Sequence, residues 1–239
     1  TIIEIPQRSI LSISVPILSE SWRTKNYKNI SDIYSKSVSN LMLISCFLYG
    51  IILLNMNNLI AFMNLVGHKN DSNFAPLFSL FFILGLAKLI DMSTGMNGAI
   101  IGTSNYWKFD FISNLIFIIL SIPLNFILIK KFGLIGLAIS NLGTLFIFNL
   151  IRFLFLYKKF NFQPYKFKHL VLMLSFGTLL FLLNLLPEFD NFILDGSIRS
   201  VLFLVTFYFI VYWIKPAPEL TNMFFDFLEK RNIKILKRF

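Results

Sequence analysis

The stretch GLAKLIDMSTGMNGAIIGTSNY, residues 85–106, is apolar enough to enter a bilayer, yet it carries Lys88 and Asp91 near its middle. Read as one helix, Lys88, Asp91, Gly95, Gly98 and Gly102 recur at alternating spacings of three and four, so charge and small residues share a stripe. Lys88 and Asp91 lie one turn apart, close enough to pair. An ionisable group at mid-membrane costs roughly 2.5–3.5 kcal/mol on insertion scales, so this stripe is expected to face protein or a water-filled cavity.

The rest of the chain agrees with a membrane setting. Its 239 residues are 56% hydrophobic with a mean hydropathy of +0.72, too apolar for an ordinary soluble domain. Several apolar runs reach the ~20 residues that cross a hydrocarbon core of about 30 Å, and they lack the alternation of a membrane β-barrel. The expected fold is all-α: a polytopic membrane helix bundle. The net charge of +10 comes from basic residues in loops and the tail, as the positive-inside rule requires, with no soluble basic segment to hold nucleic acid. The lone Cys46 excludes disulfides within the chain and cysteine-rich metal sites.

Taken in order, 1–20 reads as the end of a span interrupted by Pro6 and Pro16. Glu4 and Arg8 either pair inside the bundle or sit at a water-exposed helix end. Residues 21–36 read as a basic amphipathic loop on the membrane surface. Six spans then follow near 37–62, 75–102, 108–129, 133–157, 169–186 and 198–214, giving one partial span plus six transmembrane helices. The segment 37–157 supplies four helices around a cavity, and 158–214 two peripheral apolar helices. The tail, 215–239, is basic and amphipathic; it reads as a topology anchor drawn to anionic headgroups of the membrane lipids. The 21–36 loop, Lys108, Lys158, Lys159, Lys166 and the tail gather on one side. Lys69, Lys130, Lys131 and an acidic loop with Glu188, Asp190 and Asp195 lie on the other, which puts the C-terminus in the cytoplasm.

Two further spans repeat the pattern of the first. Asp110, Asn114, Ser121 and Asn125 stay within roughly 60° on a helix, and Asn141, Asn149 and Arg152 within roughly 80°. Pro123 is expected to kink the former, and Gly133, Gly136 and Gly143 to admit a close helix neighbour in the latter. An arginine binds phosphate in a bidentate fashion, and amides beside it suit sugar hydroxyls. No catalytic constellation accompanies them: there is no P-loop, no GxSxG elbow, and His68 and His169 fall on opposite predicted sides, so neither an enzyme, a metal site nor a cofactor is expected.

The order EIPQRSILSISVPILSESW, a basic loop, GLAKLIDMSTGMNG and then PLNFILIKKFGLIGLAIS resembles the C-terminal half of bacterial polysaccharide flippases. These are the O-antigen, Wzx-like exporters of the multidrug/oligosaccharidyl-lipid/polysaccharide superfamily. The resemblance implies a fold of fourteen helices in two lobes, with this chain running from the end of helix eight through helix fourteen and an N-terminal lobe missing. It implies a transporter in the bacterial cytoplasmic (inner) membrane that moves undecaprenyl-pyrophosphate-linked oligosaccharide units by alternating access, working with polysaccharide assembly proteins. The last two spans would accommodate the polyprenyl tail. Arg8, Lys88, Asp91 and Arg152 become candidates for the cavity wall, joined by Asn97, Asp110, Asn114, Asn125 and Asn141. The rival readings are a drug/cation antiporter of the same superfamily, disfavoured by spans that carry at least as many cations as carboxylates, and a membrane scaffold subunit of a polysaccharide synthase.

Overall fold

Apolar runs of this length satisfy their own backbone hydrogen bonds only as helices, and helices are what the chain forms. The computed structural model describes residues 4–66, 75–187, 189 and 191–217. Among these, eight helices follow one another: α1 (Ile5–Arg23), α2 (Tyr27–Leu54), α3 (Met56–Val66), α4 (Ala75–Ser93), α5 (Asn97–Gly102), α6 (Trp107–Phe160), α7 (Phe167–Asn184) and α8 (Phe192–Ile214). Four of them, α2, α6, α7 and α8, are long and apolar enough to cross a membrane. Large side chains such as Phe167, Phe181, Leu174 and Trp213 point outward and lie more than half exposed, a surface suited to lipid. The chain is an all-helical membrane bundle.

The spine of the bundle is α2, which packs against α1, α4, α7 and α8. Toward its start, Ile30, Tyr34, Val38 and Leu41 join Leu18, Met92, Met96, Ile100 and Leu156 in one buried cluster. Further along, Cys46 and Tyr49 join Leu89, Phe176, Leu179, Phe203 and Phe207 in a second. Small residues set these approaches. The Tyr49 ring lies against Gly85 while its hydroxyl donates to the Phe82 carbonyl at 2.9 Å, fastening α2 to α4. His169, at the start of α7, accepts the Lys166 backbone N–H on Nδ1 (2.9 Å), so Nε2 carries the proton and donates to Ser39 Oγ on α2 (2.8 Å).

The element α6 is two helical arms, 107–132 and 134–160, folded back on each other at Gly133. Gly133 has φ 60° and ψ −139°, the non-helical residue within α6. Phe109 stacks on Phe155 with centroids 3.9 Å apart, and Phe117 meets Phe148 at 5.0 Å, so residues nearer the tip pair with residues nearer the tip. Gly136 packs directly on the Leu128 carbonyl, leaving no room for a side chain. Gly143, expected at a similar contact, has open space beside it. Pro123 lies inside the first arm with its backbone still helical.

Four expected elements differ. Residues 21–36 form no separate surface helix: 21–23 end α1, and 27–36 are the opening turns of α2, with Ile30 and Tyr34 fully buried. Asn26 caps that start by accepting the Asn29 N–H at 3.1 Å. The span expected at 37–62 breaks at Asn55, and the span expected at 75–102 breaks at 94–96. Asp195 belongs to α8 rather than to an acidic loop. It is buried, pairs with Arg199 at 2.7 Å and accepts from Asn58 Nδ2 at 2.7 Å. The tail from 218 onward, with His68, Lys69, Glu188 and Asp190, lies outside the described residues.

Candidate functional site

The break between α4 and α5 is built by Gly95. Its φ of +70° is open to glycine at no cost, and a Cβ there would stand 2.7 Å from Ser37 Oγ and 2.8 Å from Val38 Cγ2. The chain thus turns where α2 presses against it, and α5 restarts at Asn97. Gly95→Ala is expected to lower folded stability by about 2–5 kcal/mol, from the left-handed backbone and the overpacking together. The apparent melting temperature of the detergent-solubilised protein measures this; an unchanged value would contradict the strained break.

Beside the break lies a cavity of about 390 Å³. Its walls are Gln7 and Leu11 from α1, Asp91, Thr94 and Gly95 at the interruption, Asn97, Gly98 and Gly102 from α5, and Asp110, Asn149 and Arg152 from the two arms of α6. Asp91, Gly95, Gly98 and Gly102 therefore do share one wall, although the helix supposed to align them is broken. The cavity sits toward one end of the bundle rather than its middle. Asp110 is one turn into its arm, and Arg152 is about 12 Å from the end of the other at ~1.5 Å per residue. The same end carries the Trp22, Tyr27, Phe160 and Phe162 cluster, and Trp22 Nε1 donates to the Ile100 carbonyl at 3.0 Å.

Arg152 is the buried cation of this wall, 8% exposed. One terminal nitrogen, Nη2, pairs with Asp110, and Nε donates to Ser113 Oγ at 3.3 Å. The guanidinium lies over the Phe148 ring, 4.0 Å from its centroid. Nη1 passes against Gly98, where a Cβ would come within 2.6 Å of it. The Nη1 group has no protein acceptor among the described residues and stands beside Gly98 on the cavity wall. Asp110 also accepts from Asn114 Nδ2 at 3.3 Å.

Asp91 accepts from Asn149 Nδ2 at 2.9 Å. Lys88 stands 3.9 Å from Asp91 and pairs directly with Glu4, the N-cap residue of α1, which in turn holds Arg8 at 3.1 Å. Arg8, Lys88 and Arg152 are thereby matched against Glu4, Asp91 and Asp110, which keeps this part of an apolar bundle neutral.

The sequence-derived set divides accordingly. Asp91, Asn97, Asp110 and Arg152 line the cavity, Asn114 and Lys88 touch it through Asp110 and Asp91, and Arg8 pairs with Glu4 away from it. Asn125 and Asn141 do not reach it. They lie toward the hairpin tip, and the buried Oδ1 of Asn125 has no partner there. Gln7, Thr94 and Asn149 are cavity residues that the set omitted, although Asn149 shares the polar stripe of Arg152. Nor does the segment 37–157 enclose the cavity by itself: Gln7 and Leu11 of α1 supply a wall.

No family model, curated protein or solved structure matches the chain.

Proposed function

We propose that this chain is the C-terminal lobe of a polysaccharide exporter that carries lipid-linked oligosaccharide across a bacterial cytoplasmic membrane by alternating access. The observation that carries the reading is the interrupted helix beside a polar cavity in which Arg152 keeps unpaired donors. Transport proteins place interrupted helices beside the polar cavities that hold their substrates. The guanidinium suits the pyrophosphate of an undecaprenyl carrier, and Asn97 and Gln7 on the cavity wall suit its sugar hydroxyls. The exposed surface of α1 mixes Arg8, Ser9, Ser12 and Ser19 with the apolar Ile5, Ile13 and Ile17, a face that a second lobe or lipid would cover. Exposed Lys25, Lys28, Lys108, Lys158, Lys159, Lys166 and Lys168 gather at the cavity's end of the bundle, which favours a cytoplasmic placement for that end. A cation exporter would want free carboxylates in the cavity. Both Asp91 and Asp110 are already engaged, which argues against it.

Lys88→Ala tests the reading without emptying the site, because Glu4 keeps Arg8 and Asp91 keeps Asn149. Surface polysaccharide is expected to fall at unchanged protein abundance, because Asp91 on the cavity wall loses its neighbouring cation. Normal polysaccharide at normal abundance would count against transport. A scaffold would tolerate Lys88→Ala and instead lose function on deletion of the tail.

A further inference from the structure

We infer that Asn149 is the latch that holds the two sides of the α4–α5 break together and so governs access to the cavity; its role in moving substrate rests on the transport reading above. Asn149 is 3% exposed and sits on the second arm of α6, far from the break in sequence. Its Nδ2 donates to Asp91 Oδ1 at 2.9 Å and to the Leu145 carbonyl at 3.1 Å. Its Oδ1 accepts from Asn97 Nδ2 at 3.0 Å and lies 2.9 Å from Thr94 Oγ1, whose single proton is shared with the Asp91 carbonyl at 2.7 Å. Two carboxyl or carbonyl oxygens on one side and an amide donor on the other leave one orientation for this side chain.

The partners divide at Gly95. Asp91 and Thr94 precede it, and Asn97 follows it. A polar residue that merely packs two membrane helices bonds to one of them, whereas Asn149 grips a helix on both sides of its interruption. With that grip closed, α5 is held against α6 and the cavity keeps its wall. With it released, α5 keeps Trp22 on the Ile100 carbonyl and Ile100 in the buried cluster but loses the Asn97 bond to α6, so a turn about Gly95 becomes easier. Asn149 is therefore a positioning residue. It touches the wall of the site and acts through the break.

The test is the reactivity of a cysteine on α5. In a Cys46→Ala background, Ala99→Cys places a thiol on the cavity wall, and its rate of reaction with a water-borne maleimide is read in permeabilised cells. Asn149→Ala is expected to raise that rate by about tenfold, as a local opening made easier would, and to lower polysaccharide delivery at unchanged abundance. Asn149→Asp is expected to do the same, since two carboxylates would then face each other. Combining it with Asp91→Asn restores a donor opposite an acceptor and should return the rate to within about twofold of the parent. An unchanged rate in Asn149→Ala, or an exchanged pair as reactive as Asn149→Asp alone, would overturn the latch. Should Asn149→Ala fail to accumulate, Asn97→Ala removes only the grip on α5 and must raise the rate in the same way. The labelling needs no substrate. A raised rate with normal polysaccharide would uphold the latch and sink the transport reading.

Discussion

Replacing Arg152 by alanine is expected to abolish delivery of surface polysaccharide, with a loss of about 100-fold or more, the size of effect that removing one aimed, charged donor has. Two effects combine. The cavity loses its unpaired donors on Nη1, and Asp110 loses the cation that balances it. Breaking a buried pair from one side costs about 3–5 kcal/mol when the abandoned charge stays dry, and somewhat less here because Asp110 is 24% exposed to the cavity. Abundance alone would therefore mislead. The double variant Arg152→Ala with Asp110→Asn removes both charges, and is expected to recover thermal stability while delivery stays lost. Arg152→Lys keeps the charge but not the planar fork, and should fall between. Delivery that recovered along with stability in the double variant would show Arg152 to be a structural cation.

Arg199→Met is expected to have the largest effect on folding itself. Arg199 donates Nε to Asp195, Nη1 to the Leu183 carbonyl at 2.8 Å and Nη2 to the carbonyls of Leu186 (3.0 Å) and Pro187 (3.3 Å). It thus closes the C-terminal end of α7, whose last carbonyls have no helical partner, and fastens that end to α8. Asn58 joins α3 to the same group through Asp195. Methionine fills a similar volume but leaves Asp195, 4% exposed, without its counter-charge, a loss of about 3–5 kcal/mol. Thermal unfolding of the solubilised protein should show it. Adding Asp195→Asn should return most of the loss, since the uncompensated charge is then gone. A single variant as stable as the parent would mean that water already reaches this pair.

How much of this was legible in the residues depends on which property decided each feature. Hydropathy and length decide the membrane class and the two arms of α6, and the glycine at 133 sits where the hairpin turns. The stripe of Asp91, Gly95, Gly98 and Gly102 does share a wall, but for a different reason from the one its spacing offers. A glycine at 3,4 spacing in an apolar run looks the same whether it packs a straight helix or breaks one; the contact of Ser37 and Val38 on α2 decides it. Angular reasoning gives the face of a helix and not the height along it. Asn125 stands about 22 Å from Asp110 along the first arm at ~1.5 Å per residue, which is why it shares a stripe with the cavity but not the cavity itself. The Asp195–Arg199 pair had a signal, opposite charges one turn apart, hidden by grouping Asp195 with Glu188 and Asp190. Asn149 had one too, in its three-residue spacing from Arg152. What no pattern could give was its reach across a break that only the tertiary fold creates.

The central claim is that the cavity beside Gly95 carries a lipid-linked oligosaccharide. Its most direct test is translocation in vesicles, with the protein expressed from its complete reading frame and reconstituted with a fluorescent undecaprenyl-pyrophosphate oligosaccharide. The signal is the fraction of label that reaches the far leaflet with time. Faster translocation than in protein-free vesicles, returned to the protein-free rate by Arg152→Ala with Asp110→Asn, is the predicted result. Translocation no faster than in protein-free vesicles, or unaffected by that double variant, would contradict it.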